Sequence, residues 1–374
     1  FLAAGKSVSV DLVDQYRVGV SVRQPAIMMY TSGTTANPKG CPLNHEVLVR
    51  NGINMNRSRY FLEPADRFWA PLPLFHMAAI LPLMCCMDAG AALLSMTHFE
   101  PGVSLKMMEK EKVTVAFPSF PAIMQDLLNH PDFEKTDLSS LRRMNNVAPP
   151  DLLRRFQEAL PQTVQTGAYG LTEAGGVIAF NHPEESLEKR LHTCGKPMPG
   201  LLAKIVDPDT LEERPVGEQG EILLKGYSVF DGYYNAAEKN QEAFVDGWFR
   251  TGDLCAIDAD GGVTFHGRLK DMLKVGGENV AALEIESFLI THPSMIMAQV
   301  IGVPADRLSE VACAYIELHD GESMTADDLI EFCKGKISSF KIPRHVRFVS
   351  EWPMSSTKIQ KFVLLENFTP ATGT

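Results

Sequence analysis

Residues 31–40 read Thr31-Ser32-Gly33-Thr34-Thr35-Ala36-Asn37-Pro38-Lys39-Gly40, a run of hydroxyls and small residues that ends on a cation. Following the apolar run 26–30, such a loop can wrap phosphate oxygens with backbone N–H groups and hydroxyls while Lys39 supplies charge. It is not a Walker A loop, which closes on Gly-Lys followed by Ser or Thr. Here the order is Lys39-Gly40-Cys41. The competing reading of this segment by itself is a flexible surface loop.

The elements that would position such a loop follow from periodicity. Short apolar runs at 26–30, 68–70, 91–94 and 113–116 alternate with stretches of helical period at 47–59, 105–111, 122–129 and 152–160. Alternating strands and helices predict an α/β layer fold. After Gly195 the pattern changes to short strands at 203–206, 221–224, 254–257 and 263–266, punctuated by Asp246-Gly247 and Gly261-Gly262 turns, so a smaller β-rich subdomain is expected. A third regime follows, with helical period at 282–290 and 327–334 and strands at 296–303, 312–318 and 346–349, which predicts a compact α+β domain. The expected division is a large domain over 1–268, a hinge at 269–271 and a small domain over 272–374.

Composition narrows the function. With 374 residues, 45% hydrophobic and 22% charged, the chain is expected to be globular, and its net charge of -11 argues against a general affinity for nucleic acid or anionic membrane. Phosphate-bearing ligands must then be met by local cations and backbone amides. The seven cysteines form no C-x-x-C pair, so neither a zinc site nor a disulfide framework is signalled, and a reducing, cytoplasmic compartment is expected. The most apolar stretch, 77–94, is interrupted by Pro82 and Asp88, which favours core packing over a membrane span.

Further motifs occur in a fixed order: Pro73-Leu74-Phe75-His76, Tyr169-Gly170-Leu171-Thr172-Glu173, Gly195-Lys196-Pro197-Met198-Pro199-Gly200, Asp246-Gly247-Trp248-Phe249-Arg250-Thr251-Gly252-Asp253, Gly267-Arg268-Leu269-Lys270-Asp271 and Ser356-Thr357-Lys358-Ile359. With the loop at 31–40 the chain resembles the adenylate-forming superfamily, closest to acyl-CoA synthetases. The resemblance implies ATP-dependent activation of a carboxylic acid to acyl-AMP with pyrophosphate release, then transfer to coenzyme A. Positioning and electrostatics must do most of that work, because two anions are held together while charge accumulates on phosphorus.

The resemblance assigns Tyr169 to stacking on adenine, Asp253 to the ribose hydroxyls and Lys358 to bridging the carboxylate and the α-phosphate. Thr31, Ser32, Gly33, Thr34, Thr35 and Lys39 would hold phosphates. Thr172 supplies a hydroxyl that can reach the α-phosphate, and Glu173 a carboxylate suited to Mg²⁺; a Thr-Glu pair opening a helix is the alternative. Arg268 could meet ribose or phosphates. Lys361 competes with Lys358 for the catalytic role and is expected to be solvated. The hinge residue is Lys270, and in a second arrangement of the small domain the loop 274–279 would face the site, with Gly277 letting the pantetheine arm pass.

No acidic residue lies between 72 and 80, where amino-acid-activating relatives place an Asp against the substrate amine. Ala168, Gly170, Gly175 and Gly176 lack bulk at positions that line the acyl pocket in similar enzymes, so a medium-chain fatty or bulky, aryl acid is expected, with His76 at the entrance or packed beside Phe75. The chain departs from the family pattern at Ala36, Asn145-Asn146-Val147 and Thr357, and the loop begins at Thr31 where relatives carry a long preceding segment. Apolar faces which that segment would cover are expected to be exposed, covered by residues outside this sequence, or paired with another chain as in a homo-oligomer. Two alternatives stay open: a remnant that binds nucleotide without turnover, and an enzyme that loads a carrier protein.

Overall fold

A computed structural model describes residues 2–31, 38–305, 307–354 and 359–369. At its centre lies a parallel five-stranded sheet in the spatial order Ala92–Leu94, Arg67–Trp69, Val115–Ser119, Arg143–Asn146, Val164–Thr166. Parallel strands are covered on both faces and therefore read as apolar runs rather than alternating ones. Phe68, Trp69, Val115, Ala116, Phe117 and Met144 are all buried here. The helices Met77–Ala89, Pro101–Lys110, Pro121–Asn129 and Pro150–Ala159 intervene between the strands. Three of them open on proline, whose missing N–H is one of the donors a helix start leaves unpaired anyway.

Numbered along the chain, the strand order is 2-1-3-4-5. The direction of winding reverses between Arg67–Trp69 and Val115–Ser119, and ligands of such sheets bind outside the carboxyl ends of the strands at that switch point. The apolar stretch 77–94 is core, as expected: Leu81 and Cys85 are fully buried, and Gly90, at φ +70, ends the helix before the next strand. Among the described residues no helix is long and apolar enough to cross a membrane.

Before this sheet, Pro25–Thr31 pairs antiparallel with Lys39–Asn44, so the two strands bracket residues 32–38. The helix His45–Met55 follows, its start fixed by the Asn44 side chain accepting the Val47 N–H at 2.9 Å. The β-rich part has the order Leu201–Val206, Gly220–Gly226, Trp248–Ile257, Phe244–Val245, with Val263–Arg268 also paired to Trp248–Ile257. The expected Asp246-Gly247 turn is present, with both residues at positive φ, as a two-residue hairpin requires.

The remainder forms a small α+β domain with its own core, including Leu273, Val280, Ile285, Leu289, Val300, Ala314 and Leu329. Its sheet runs Glu278–Ala281, Met272–Val275, Ser309–Leu318, Met295–Ala305, with His345–Phe348 parallel to Ser309–Leu318. One expectation is corrected in this domain, that for Lys361. The segment 274–279 is a β-hairpin turning on Gly276 and Gly277, with only those two residues between its strands. Lys361 is not solvated: its ammonium lies 2.5 Å from Glu286 Oε1, an oxygen that also accepts the Val300 N–H at 2.7 Å. A nearly buried carboxylate needs a counter-charge, and Lys361 supplies it.

Candidate active site

The Tyr169-to-Glu173 motif leaves the short strand Ala168–Tyr169 and enters the single 3₁₀ turn Thr172–Ala174. What shapes that turn is glycine. Gly175 and Gly176 sit at φ +72 and +97, and a Cβ on Gly170 would lie 1.7 Å from the Gly176 carbonyl oxygen. The amide of Asn51, fully buried in the helix His45–Met55, donates to the Gly175 and Val177 carbonyls at 2.9 and 3.2 Å and pins the turn from below. These contacts give the small residues a different reason from an open acyl pocket. A Cβ on Gly175 would strike Val47, one on Gly176 would strike Leu81, and Ala168 is buried, so the absent bulk makes room for protein.

Glu173 is held by a residue that sequence reasoning missed. Tyr233 donates its hydroxyl to Glu173 Oε1 at 2.9 Å, and its ring lies under the Lys39 ammonium, 4.9 Å from nitrogen to centroid. Burial and the Glu173 charge both push the Tyr233 hydroxyl far up, so it stays a donor. The same effects raise the neighbouring Cys41 thiol, which remains neutral. Among the described residues no three His, Cys, Asp or Glu side chains gather into a cation site. A lone carboxylate fits Mg²⁺ only in the manner usual for that ion, through one or two carboxylates together with substrate phosphates and water.

On the other side of the turn, Tyr169 donates to Asp253 Oδ2 at 2.7 Å, and Asp253 Oδ1 pairs with the Arg268 guanidinium at 3.2 Å. Asp253 and Tyr169 are both buried, and the Tyr169 ring stacks on Phe265 at 5.5 Å and 22°. The strand that carries Asp253 is irregular: Leu223 faces Arg250 while Glu221 faces Leu254, so residues 251–253 bulge from the sheet. Glu221, 1% exposed, fills the bulge by accepting from Arg250 and from the Gly252 N–H, and Thr251 Oγ1 accepts the Asp253 N–H at 3.0 Å.

His76 caps the helix Met77–Ala89, its Nδ1 accepting the Ala78 N–H at 3.1 Å, and meets Phe120 edge to face at 5.8 Å. The loop before His76 follows Arg67–Trp69 and Phe120 follows Val115–Ser119, so the pair stands at the switch point of the sheet, beside Ser119 at φ +66. Asn145 and Asn146, at the end of the next strand, are fully buried and donate to Thr166 and Gln165. Lys270 lies in the 3₁₀ turn Leu269–Asp271, which begins directly after Arg268, and Gly277 lies at a hairpin tip. Thr31 ends the strand that leads into the loop, whereas Ser32, Gly33, Thr34, Thr35 and Lys358 lie outside the described residues.

Comparison with known proteins identifies the family. Residues 4–234 match the model of the AMP-binding enzymes and 284–358 that of the AMP-binding enzyme C-terminal domain. The chain is 41% identical over 345 residues to YngI of Bacillus subtilis (strain 168), covering 91% of this chain and 62% of that protein. It is 37% identical over 374 residues to the medium-chain acyl-CoA ligase ACSF2, mitochondrial, of Mus musculus, covering 97% of this chain and 61% of that one. The chain thus spans about three-fifths of the length of these curated relatives. The crystal structure of ATP-bound MatB from Rhodopseudomonas palustris superposes with a TM-score of 0.84 at 30% identity, over 92% of this chain and 68% of that one. The motifs, the α/β fold with its small C-terminal domain and both family matches agree: the chain belongs to the AMP-binding enzymes of the adenylate-forming superfamily.

Proposed function

We propose that this chain carries the nucleotide-using part of an acid–thiol ligase, which activates a carboxylic acid as acyl-AMP and passes the acyl group to coenzyme A. The observation that carries the reading is the meeting of four motifs that are separate in sequence. Lys39 and Glu173 come together on Tyr233, and Asp253 with Arg268 comes to Tyr169, at the two ends of one short turn.

Asp253 offers its carboxylate to the paired ribose hydroxyls, with Arg268 beside it to meet ribose or phosphate. Tyr169 presents its ring to the base, Thr172 its hydroxyl to the α-phosphate, and Lys39 its charge to the outer phosphates. Mg²⁺, when bound at Glu173, would neutralise charge on the phosphates. Lys358 bridges the carboxylate and the α-phosphate from the small domain, which spans 272–374 and turns about Lys270; in its other arrangement Gly277 leaves room for the thiol arm. The acyl group enters at the switch point past His76 and Phe120. A medium-chain fatty or aryl acid is favoured, since the sequence has no acidic residue between 72 and 80 for a substrate amine and the similar mouse protein is named a medium-chain ligase. Seven free thiols suit a reducing compartment.

Pyrophosphate release with ATP, Mg²⁺ and a panel of acids, with and without coenzyme A, tests this. Octanoate or benzoate should outpace acetate, and a thioester should appear only with coenzyme A. Release without a thioester would point to a carrier protein instead, and nucleotide binding without release to a remnant. Lys358→Ala should slow acid-dependent release at least tenfold; an unchanged rate would remove that lysine from the mechanism.

A further inference from the structure

We infer that Tyr233 is a positioning residue that holds Glu173 and Lys39 apart and in register, so that carboxylate and ammonium each stay available to the metal–nucleotide complex. The inference rests on the assignment of Glu173 to Mg²⁺ made above.

Over five residues the segment from Phe230 to Tyr234 touches Glu173 twice, Lys39 once and the adjacent Gly40 once. Phe230 donates its N–H to the Glu173 carbonyl at 2.8 Å, and Tyr233 donates its hydroxyl to the Glu173 carboxylate. The Tyr233 ring takes the Lys39 ammonium on its face, and the Tyr234 N–H donates to the Gly40 carbonyl at 2.9 Å. The segment is itself fixed. The Asn240 side chain accepts the Tyr233 N–H at 2.7 Å and donates to the Tyr233 carbonyl at 3.0 Å. A Cβ on Gly232, at φ +130, would come within 3.0 Å of that amide. The Phe230 ring packs edge to face on Tyr233 at 4.8 Å and on Phe249 at 5.3 Å.

The charges explain why an aromatic hydroxyl suits the place. Lys39 and Glu173 make no ion pair with one another, although both meet the same side chain. Were they to pair, each would satisfy the other and the charge offered to a phosphate or a cation would be largely cancelled. The ring holds the ammonium by its face while the hydroxyl fixes one carboxylate oxygen, and Glu173 Oε2 has no hydrogen-bond donor among the described residues. A leucine here would fill space without separating the charges. A phenylalanine would separate them without fixing the carboxylate.

Those two variants give the test, with ATP binding followed by calorimetry at a series of Mg²⁺ concentrations. In Tyr233→Phe the Mg²⁺ concentration for half-maximal ATP binding should rise at least about tenfold, the low end of the scale for one hydrogen bond to a charged group. Binding of AMP without metal should be unchanged. In Tyr233→Leu the affinity for ATP at saturating Mg²⁺ should fall about fivefold as well, as the ammonium loses its aromatic face. Asn240→Ala, which leaves the ring in place and loosens its backbone, should move the Mg²⁺ midpoint in the same direction by a smaller factor. Glu173→Gln is the reference. If it shifts the Mg²⁺ midpoint and Tyr233→Phe, folded and with normal AMP binding, does not, the role given to Tyr233 is wrong. If Glu173→Gln leaves the midpoint in place, the assignment of the metal to Glu173 fails first.

Discussion

Replacing Glu221 with alanine is expected to destabilise the chain by about 3 kcal/mol, the lower end of the range for removing one partner of a buried ion pair. The lower end applies because Arg250, whose side chain is 31% exposed, can recover some water once its partner is gone. The Gly252 N–H, which Glu221 Oε1 accepts at 3.0 Å, loses its acceptor in the same step. A melting temperature lower by about 4–5 °C should follow in calorimetry. The effect should reach the nucleotide as well, because the bulge at 251–253 that Glu221 fills is what turns Asp253 toward Tyr169 and Arg268. Glu221→Gln keeps an acceptor for Gly252 and loses the charge, so it should fall between wild type and Glu221→Ala in both stability and ATP affinity. A loss below 1 kcal/mol for the alanine variant, or an ATP affinity untouched by either substitution, would mean that the bulge holds its shape without Glu221.

Glu221 also shows where sequence reasoning stops. Asp253, Glu173, Lys39 and Arg268, the side chains proposed to meet nucleotide and metal, stand in ordered motifs and could be singled out from sequence. The residues that brace them come from distant parts of the chain, Glu221 for the bulge before Asp253 and Asn51 for the turn after Glu173, and carry no motif. Their one local signal is a polar residue where the pattern calls for an apolar one: Glu221 at the head of Ile222-Leu223-Leu224, and Asn51 on the buried face of its helix. Tyr233 lacks even that, since a tyrosine after glycine in a turn looks like any other. The parallel sheet was legible for the opposite reason, as strands buried on both faces must be apolar throughout. Glycine is the ambiguous case. A missing side chain makes room for a ligand or for the chain itself, and composition cannot distinguish the two. Gly175 and Gly176 make room for Val47 and Leu81.

That ambiguity can be resolved by contrasting two glycines that differ in why they are glycine. Gly170 does not have the left-handed backbone that favours glycine, so alanine there tests contact alone. Its Cβ would lie 1.7 Å from Gly176 O, 2.7 Å from Gly176 C and 2.8 Å from Val177 Cα, all of them backbone atoms that no rotamer change can move. That backbone is tied down by the Asn51 amide, by the Gly176 N–H donating to Leu171 O at 2.9 Å and by the Ile178 N–H donating to Tyr169 O at 2.8 Å. Relief must therefore come from the motif itself, by displacing Thr172 and Glu173 or by opening the strand pair behind them. Gly170→Ala is expected to cost more than about 3 kcal/mol, beyond ordinary overpacking, and to weaken Mg²⁺-dependent ATP binding by at least tenfold. Gly277 is the converse: at φ +92 with nothing within 4 Å of a built Cβ, alanine there meets backbone strain alone. About 1–2 kcal/mol is expected, with ATP binding unchanged. Denaturant unfolding and ATP calorimetry on both variants decide the matter. Equal losses would show that contact at Gly170 adds nothing to the ordinary cost of replacing glycine, and that the turn carrying Glu173 is free to shift.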